Sequence, residues 1–217
     1  MLCMTSDGGS CSICKDCFSD LPWHRAHHCP QCALPSFNNA ICGHCLAAPP
    51  DFDSTTALLK YEYPLDRMLQ RYKYGHNLAM ADTFANLLME SFAQTSATPP
   101  PDLIIPMPLH PQRLKERGFN QSLEIARILA GRLDIRLDVK SCTRIKLSPP
   151  QASLPLKERV KSMRGAFQCN ESLDGLRIAL LDDVMTTGAS LNALAKTVKA
   201  AGAAHVECWV VARTLPR

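Results

Sequence analysis

Two adjacent carboxylates, Asp182 and Asp183, stand just before a turn-forming run that offers the hydroxyls of Thr186, Thr187 and Ser190 with Gly188 among them. Neighbouring carboxylates can accept hydrogen bonds from the hydroxyls of one sugar. Hydroxyl donors at the start of a helix add to its free N–H groups and dipole, which favour an anion. A small residue such as Gly188 lets the backbone come close to that anion. Together these groups suit a ribose 5-phosphate. A nucleotide P-loop is a poor match, because it needs a Gly-Lys-Ser/Thr step and no lysine is present.

The cysteines carry a second chemistry. Cys29 and Cys32 form one C-x-x-C pair and Cys42 and Cys45 another, and four thiolates at this range can surround one zinc tetrahedrally. Four sulfurs leave no open position, so the role is structural. His44, inside the second pair, reads as a turn residue. A less regular set contains the pair Cys14 and Cys17, completed by Cys3 and Cys11 or by one of them with a histidine from His24, His27 and His28. Cys142, Cys169 and Cys208 read as isolated, Cys208 as a small core residue.

These groups need a frame. Ile178 to Leu181 is a short, continuously apolar run, as expected of a strand buried on both faces of a parallel sheet, and it places Asp182 and Asp183 at the strand's carboxyl end. Residues 55–64 and 103–107 read as further strands, and "VECWVVA" as a last one. Helical spacing marks "LDRMLQRYKYG", "MADTFANLLMESFAQ", a helix beginning near Asn120, and "LNALAKTVKAA" with Gly202 as its stop. Alternating strands and helices predict an α/β fold with a parallel, doubly wound sheet. The proline- and cysteine-rich segment 1–50 predicts a small zinc ribbon, and residues 51–217 the α/β domain. "KLSPPQASLPLKERVKSMRGAF" reads as a long loop with one short helix near 155–163.

Composition narrows the class. At 217 residues and 46% hydrophobic the chain can bury a sizeable core, and no apolar run approaches the ~20 residues of a membrane span. The start has no basic and apolar leader pattern, so a cytoplasmic protein is expected. Eleven cysteines in such a compartment point to metal rather than disulfides, and eight of them precede residue 46. Residues 112–165 carry thirteen Lys or Arg against five Asp or Glu, a local excess of +8 that suits a pyrophosphate, a nucleic-acid backbone or solvent.

"ALLDDVMTTGAS" resembles the phosphoribosyl diphosphate (PRPP) signature of type I phosphoribosyltransferases. "PMPLHPQRLKERGFNQS", "PPQASLPLKERVKSMRGAF" and the N-terminal cysteine pairs together resemble the ComF family, including its GntX-type members, over essentially the whole chain. The resemblance implies a type I phosphoribosyltransferase-like domain behind a zinc ribbon. It implies that Asp182 and Asp183 bind the ribose hydroxyls and serve as the catalytic pair, and that Thr186, Thr187, Gly188, Ala189 and Ser190 take the 5-phosphate. Pro106, Met107, Pro108 and Leu109 would form the pyrophosphate loop, helped by Arg113 and Arg117, with Mg²⁺ shielding the leaving group. Gln151, Arg159 and Arg164 would belong to a loop that closes over PRPP. The family's N-terminal pattern begins with a C-x-x-C pair, and Cys3 matches its second member. The first metal site is then three-plus-one with Cys11, or the chain begins a few residues late.

The same resemblance implies a part in natural competence, with PRPP and either single-stranded DNA or a DNA-uptake helicase or translocation protein as partners, in the cytoplasm or peripherally at the inner face of the membrane. Two other readings stand beside it: a salvage enzyme that transfers phosphoribose to a nucleobase, and a regulator that senses PRPP without turnover. The basic segment suits all three. Stacking on single strands is weakly provided for, since Phe119 is its one aromatic.

Overall fold

The computed structural model describes residues 13–75, 77–93, 99–147 and 163–216, with residue 93 described in its backbone alone. Its centre is a parallel sheet of β1 (Ser54–Lys60), β2 (Leu103–Pro106), β3 (Arg136–Leu137), β6 (Arg177–Met185) and β7 (His205–Arg213) in the order β1-β7-β6-β2-β3. Two short strands, β4 (Cys142–Arg144) and β5 (Phe167–Cys169), pair antiparallel beside it. The chain goes outward from β2 to β3 and then in the opposite direction from β6 to β7. The topological switch therefore lies between β2 and β6, where open α/β sheets bind ligands at the carboxyl ends of their strands. The expected fold class is the one observed.

Helices cover both faces. Ala179 and Leu181 of β6 join the core formed with α3 (Leu65–Tyr74), α4 (Ala79–Ala93) and α6 (Gln121–Leu133). Ile178 and Leu180 join the core under α7 (Ala189–Ala200). All four are fully buried, which explains the unbroken apolar run: a strand covered twice has no solvent face on which to alternate. At the N-terminus of α6 the Asn120 side-chain oxygen accepts from Leu123 N at 3.2 Å, while its Nδ2 donates to Met107 O. One side chain thus starts the helix and anchors the loop after β2.

The cysteine-rich segment is hydrogen-bonded to the outer edge of β1. Lys60 N donates to Pro22 O, His24 N to Leu58 O and Thr55 N to Pro30 O. Covering an edge strand in this way removes a row of unpaired backbone groups from solvent. Ile13 and Leu21 continue into the core of the sheet, so the segment and the α/β domain share apolar packing.

Candidate functional site

β6 is longer than its apolar run. It continues to Met185, so Asp182 and Asp183 lie within the strand and not beyond its end, Asp182 facing Val210 of β7 in register. The ladder persists because neighbouring β7 remains apolar as far as Ala212, and pairing outlasts the hydrophobic pattern that was read as the strand. Asp183 is buried, and its Oδ2 lies 2.7 Å from the Nζ of Lys73 at the end of α3. Asp182 is partly open. Its Oδ1 accepts from Ser122 Oγ at 3.2 Å and from Asp183 N at 2.9 Å. Loss of solvation and the adjacent Asp183 charge push the Asp182 carboxyl up to about 7, against the opposing pull of Lys73 and those two hydrogen bonds. Burial works against the Lys73 ammonium, but Asp183 and Asp182 outweigh it and hold the proton more tightly than usual.

Beyond β6 the chain turns at Thr186, Thr187 and Gly188 into α7. Gly188 has φ +80°, and a Cβ there would stand 2.8 Å from the Met185 Cε. A side chain would therefore meet both left-handed strain and a collision. Ala189 N donates to Thr187 Oγ1 at 3.2 Å, and Ser190 Oγ to Met163 Sδ at 3.4 Å. The turn's carbonyls are held from behind: Arg213 Nη1 donates to Met185 O and Thr186 O, and its Nε to Cys32 O.

Across the switch, Pro106 pairs with Leu181 and Met107 N donates to Leu181 O at 2.8 Å, so residues 106–109 leave the sheet beside the carboxylates. A short helix unforeseen from sequence, α5 (Pro111–Arg117), follows. Arg113 is ion-paired to Glu116 at 2.6 Å, while Arg117 donates to Gln121 Oε1 and stacks over Tyr74. Both arginines and Asp182 act electrostatically on Arg144 of β4, which lies over Phe167. Lys73 is thus ion-paired to Asp183, and Arg144 lies within electrostatic reach of Asp182 and of Arg113 and Arg117. A cavity of about 420 Å³ opens between the 106–109 loop, the start of α6 and β4, lined by Pro108, Leu109, Asn120 and Arg144 but by neither carboxylate. A larger one of about 1030 Å³ runs along α7 and reaches Thr187, Gly188 and Arg164 but neither carboxylate. Both loops leave the sheet at the switch point, beside the carboxylates.

Lys73, Ser122, Arg144 and Arg213 were not identified from sequence. Each comes from an element remote from the motif it supports, and no spacing rule links them. Gln151 and Arg159 lie outside the described residues. Arg164 is exposed, and its carbonyl accepts from Lys146 Nζ.

Behind the turn that begins α7, joined to it through Arg213, the Sγ atoms of Cys29, Cys32, Cys42 and Cys45 lie within 4.8 Å of one another, a set positioned to bind a metal ion. Burial opposes the Cys29 thiolate, but amides of Cys32, Cys42 and Gln31 outweigh it and bring its pKa down to about 7. Burial and neighbouring sulfurs push Cys45 up, so all four ionise together only with a cation among them. Among the described residues this is the one group of three or more such ligands. Cys3 and Cys11 lie outside those residues. Cys14 caps α1 (Lys15–Ser19), which contains Cys17. The His24 Nε2 is 2.8 Å from Ala33 O and its ring stacks on His28, whose Nδ1 meets Ala26 O. Cys142 and Cys169, read as isolated, in fact face each other across β4 and β5, because the strands that pair them lie on either side of a long connection.

The chain is 31% identical over 214 residues to the DNA utilization protein YhgH of Salmonella typhi, a match spanning 97% of this chain and 92% of that protein. It is 30% identical over 212 residues to competence protein F of Haemophilus influenzae, spanning 94% and 90%. It is 29% identical over 212 residues to competence protein ComFC of Bacillus subtilis, spanning 93% and 84%. No protein-family model matches the chain. Among solved structures, the glutamine PRPP amidotransferase of Bacillus subtilis aligns with 65% of this chain and 30% of its own at 19% identity and a TM-score of 0.42, a likeness too distant to argue from.

Proposed function

We propose, from the premise that this chain belongs to the ComF family of competence and DNA-utilization proteins, that it is a phosphoribosyltransferase-like protein that binds PRPP and serves the use of incoming DNA. The observation that carries the PRPP reading is the meeting at one switch point of the Asp182–Asp183 pair, the Thr186–Ser190 turn that follows it and the 106–109 loop, with Lys73 ion-paired to Asp183 and Arg144 within electrostatic reach of Asp182. A ligand with a diol, a monophosphate and a diphosphate matches those three parts. The relatives' names support the DNA-related role.

In this reading Asp182 accepts from the ribose hydroxyls, with Ser122 and the Asp183 amide fixing its orientation. The N-terminal turn of α7 faces the 5-phosphate, and Arg113, Arg117 and Arg144 face the diphosphate. Mg²⁺ arriving with PRPP would screen charge on the departing pyrophosphate. Any transfer displaces pyrophosphate at the anomeric carbon while positive charge builds on the ring, which carboxylates holding the hydroxyls favour. The cysteine set fits zinc by its sulfur donors and closed coordination, and serves as a structural ribbon for the 1–50 segment. No helix among the described residues is long and apolar enough to cross a membrane, and we place the protein in the cytoplasm, with an uptake helicase, translocation protein or single-stranded DNA as partner.

Calorimetry with PRPP and Mg²⁺ on the wild type and on the Asp182→Ala, Asp183→Ala double variant tests the site. Binding lost in a variant with a cooperative melt supports it, and equal affinity overturns it. Pyrophosphate release across nucleobases and DNA then separates transfer from sensing.

A further inference from the structure

We propose that Cys142 and Cys169 form a thiol pair that closes reversibly to a disulfide, tying β4 to β5. The two residues are direct partners in the antiparallel pair, Cys142 opposite Cys169. The neighbouring backbone bonds settle which kind of partner. Ile145 N donates to Ala166 O at 2.9 Å and Asn170 N to Ser141 O at 3.0 Å. The hydrogen-bonded positions are thus 145 with 166 and 141 with 170, and alternation puts 142 with 169 at a non-hydrogen-bonded position. Such partners have Cα atoms about 4.5 Å apart and side chains closer together than at the alternate positions, within the reach of about 4.4–6.8 Å that a disulfide spans. Both thiols are free in the structure.

The two sulfurs differ in access, which orders the chemistry. Cys169 is half-buried and borders the larger cavity, with its Sγ donating to Glu171 O at 3.4 Å. Cys142 borders the smaller cavity but is only 4% exposed, and burial together with the Cys169 sulfur pushes its thiol up. Cys169 therefore meets an oxidant first. With a low-molecular-weight disulfide such as oxidised glutathione, the Cys169 thiolate attacks one sulfur and releases one thiol. Cys142 then gives up its proton and attacks the Cys169 sulfur of the mixed disulfide, releasing the second. Two protein thiols and one small disulfide become one protein disulfide and two small thiols.

The bond would restrain β4, which carries Arg144 over Phe167 and toward Asp182. It is separate from the metal-site cysteines, all of which lie in one tryptic peptide, residues 26–60. Cys142 falls in peptide 141–144 and Cys169 in peptide 165–177.

Metal-loaded full-length protein at low concentration is incubated with oxidised glutathione, alkylated and digested without reductant. The expected product is peptide 141–144 linked to 165–177, lost on reduction, from a protein still monomeric on a non-reducing gel and melting several degrees higher. Cys142→Ala should stop at a glutathione adduct on Cys169, whereas Cys169→Ala should yield neither link nor adduct at Cys142. Independent alkylation of both cysteines throughout, a link formed only between molecules, or an adduct that accumulates on Cys142 would each overturn the proposal.

Discussion

Arg213 Nε donates to the carbonyl oxygen of Cys32 at 2.8 Å, and the Nη1 of the same guanidinium donates to Met185 O at 2.9 Å. One side chain, 2% exposed at the end of β7, thus joins the metal-site knuckle to the turn proposed for the 5-phosphate. A buried arginine is stable here because its donors meet carbonyls, and removing it leaves those carbonyls without partners. Arg213→Ala should cost about 3 kcal/mol of stability and weaken PRPP binding although residue 213 lies behind the turn. Arg213→Lys should recover part of the stability but little of the binding, since an ammonium cannot span both carbonyl sets. Melting curves and calorimetry on both variants check this, and unchanged affinity in a well-folded Arg213→Lys protein would show that the turn needs no support from behind.

Metal removal should act through the same link. Stripping the ion from Cys29, Cys32, Cys42 and Cys45 lets the sulfurs take up protons and removes the tie between the two pairs, on which a small segment with little core of its own relies. We expect at least one zinc per chain by elemental analysis, and after chelation a lower melting temperature together with weaker PRPP binding. Zinc-free protein with freely reactive thiols would remove the ribbon reading. Two ions per chain would point to a second site drawing on Cys3, Cys11, Cys14 and Cys17.

Asp182 predicts a pH dependence of definite sign. Its pKa rises from about 3.9 in the unfolded chain to about 7 in the fold, so between these values the native state binds the extra proton. Stability from this group is full below about pH 4, is lost as pH rises toward 7, and is flat above. Loss of solvation and then the Asp183 charge drive the shift, while Lys73, the Asp183 amide and Ser122 oppose it. Asp182→Asn should flatten that slope and stabilise the protein at pH 8 by on the order of 2 kcal/mol while weakening PRPP binding. Parallel melts from pH 4 to 8 test it; a wild type and variant with superimposable profiles would mean that the carboxyl titrates normally.

Much of the site's scaffold was legible in the chain. The buried run Ile178–Leu181, the cap at Asn120 and the two C-x-x-C pairs each arise from local rules: burial on both faces, an orphan N–H group at a helix start, and ligand spacing. The partners of those groups were not legible. Lys73 meets Asp183 across the chain because α3 ends over the sheet's carboxyl edge, and Arg213 reaches Cys32 because β7 lies between β6 and β1. Both depend on strand order, which periodicity does not encode. The extension of β6 through Asp182 and Asp183 was missed for a related reason: cross-strand pairing, not side-chain hydropathy, keeps these residues extended.

Gly188 offers a direct test of the turn. Its φ of +80° lies where an L residue pays about 1–2 kcal/mol, and a Cβ would also press on Met185 Cε at 2.8 Å. Gly188→Ala should therefore lose roughly 1–2 kcal/mol of stability, chiefly from the left-handed backbone since the Met185 methyl can move, and weaken PRPP binding, because the turn relaxes from that geometry. Gly131, within α6 with open space around its Cβ position, is the control: Gly131→Ala should gain about 0.5–1 kcal/mol without altering affinity.

The cellular prediction follows from a contrast within the site. The groups proposed for ribose and phosphates converge from β2, β6, α3 and β4, whereas no segment suited to reading a nucleobase stands out in the sequence. A salvage enzyme needs both. In a host that takes up DNA, loss of this protein should lower transformation frequency by tenfold or more while growth of a purine or pyrimidine auxotroph on single bases stays normal. Thr187→Trp, which places an indole at the start of α7 where the 5-phosphate is proposed to bind, should lower transformation as far as deletion does even though the protein accumulates. Transformation counts beside growth curves decide the matter. Normal transformation with a salvage defect would put nucleobase transfer in place of the DNA-related role, and a Thr187→Trp strain that transforms normally would detach that role from PRPP.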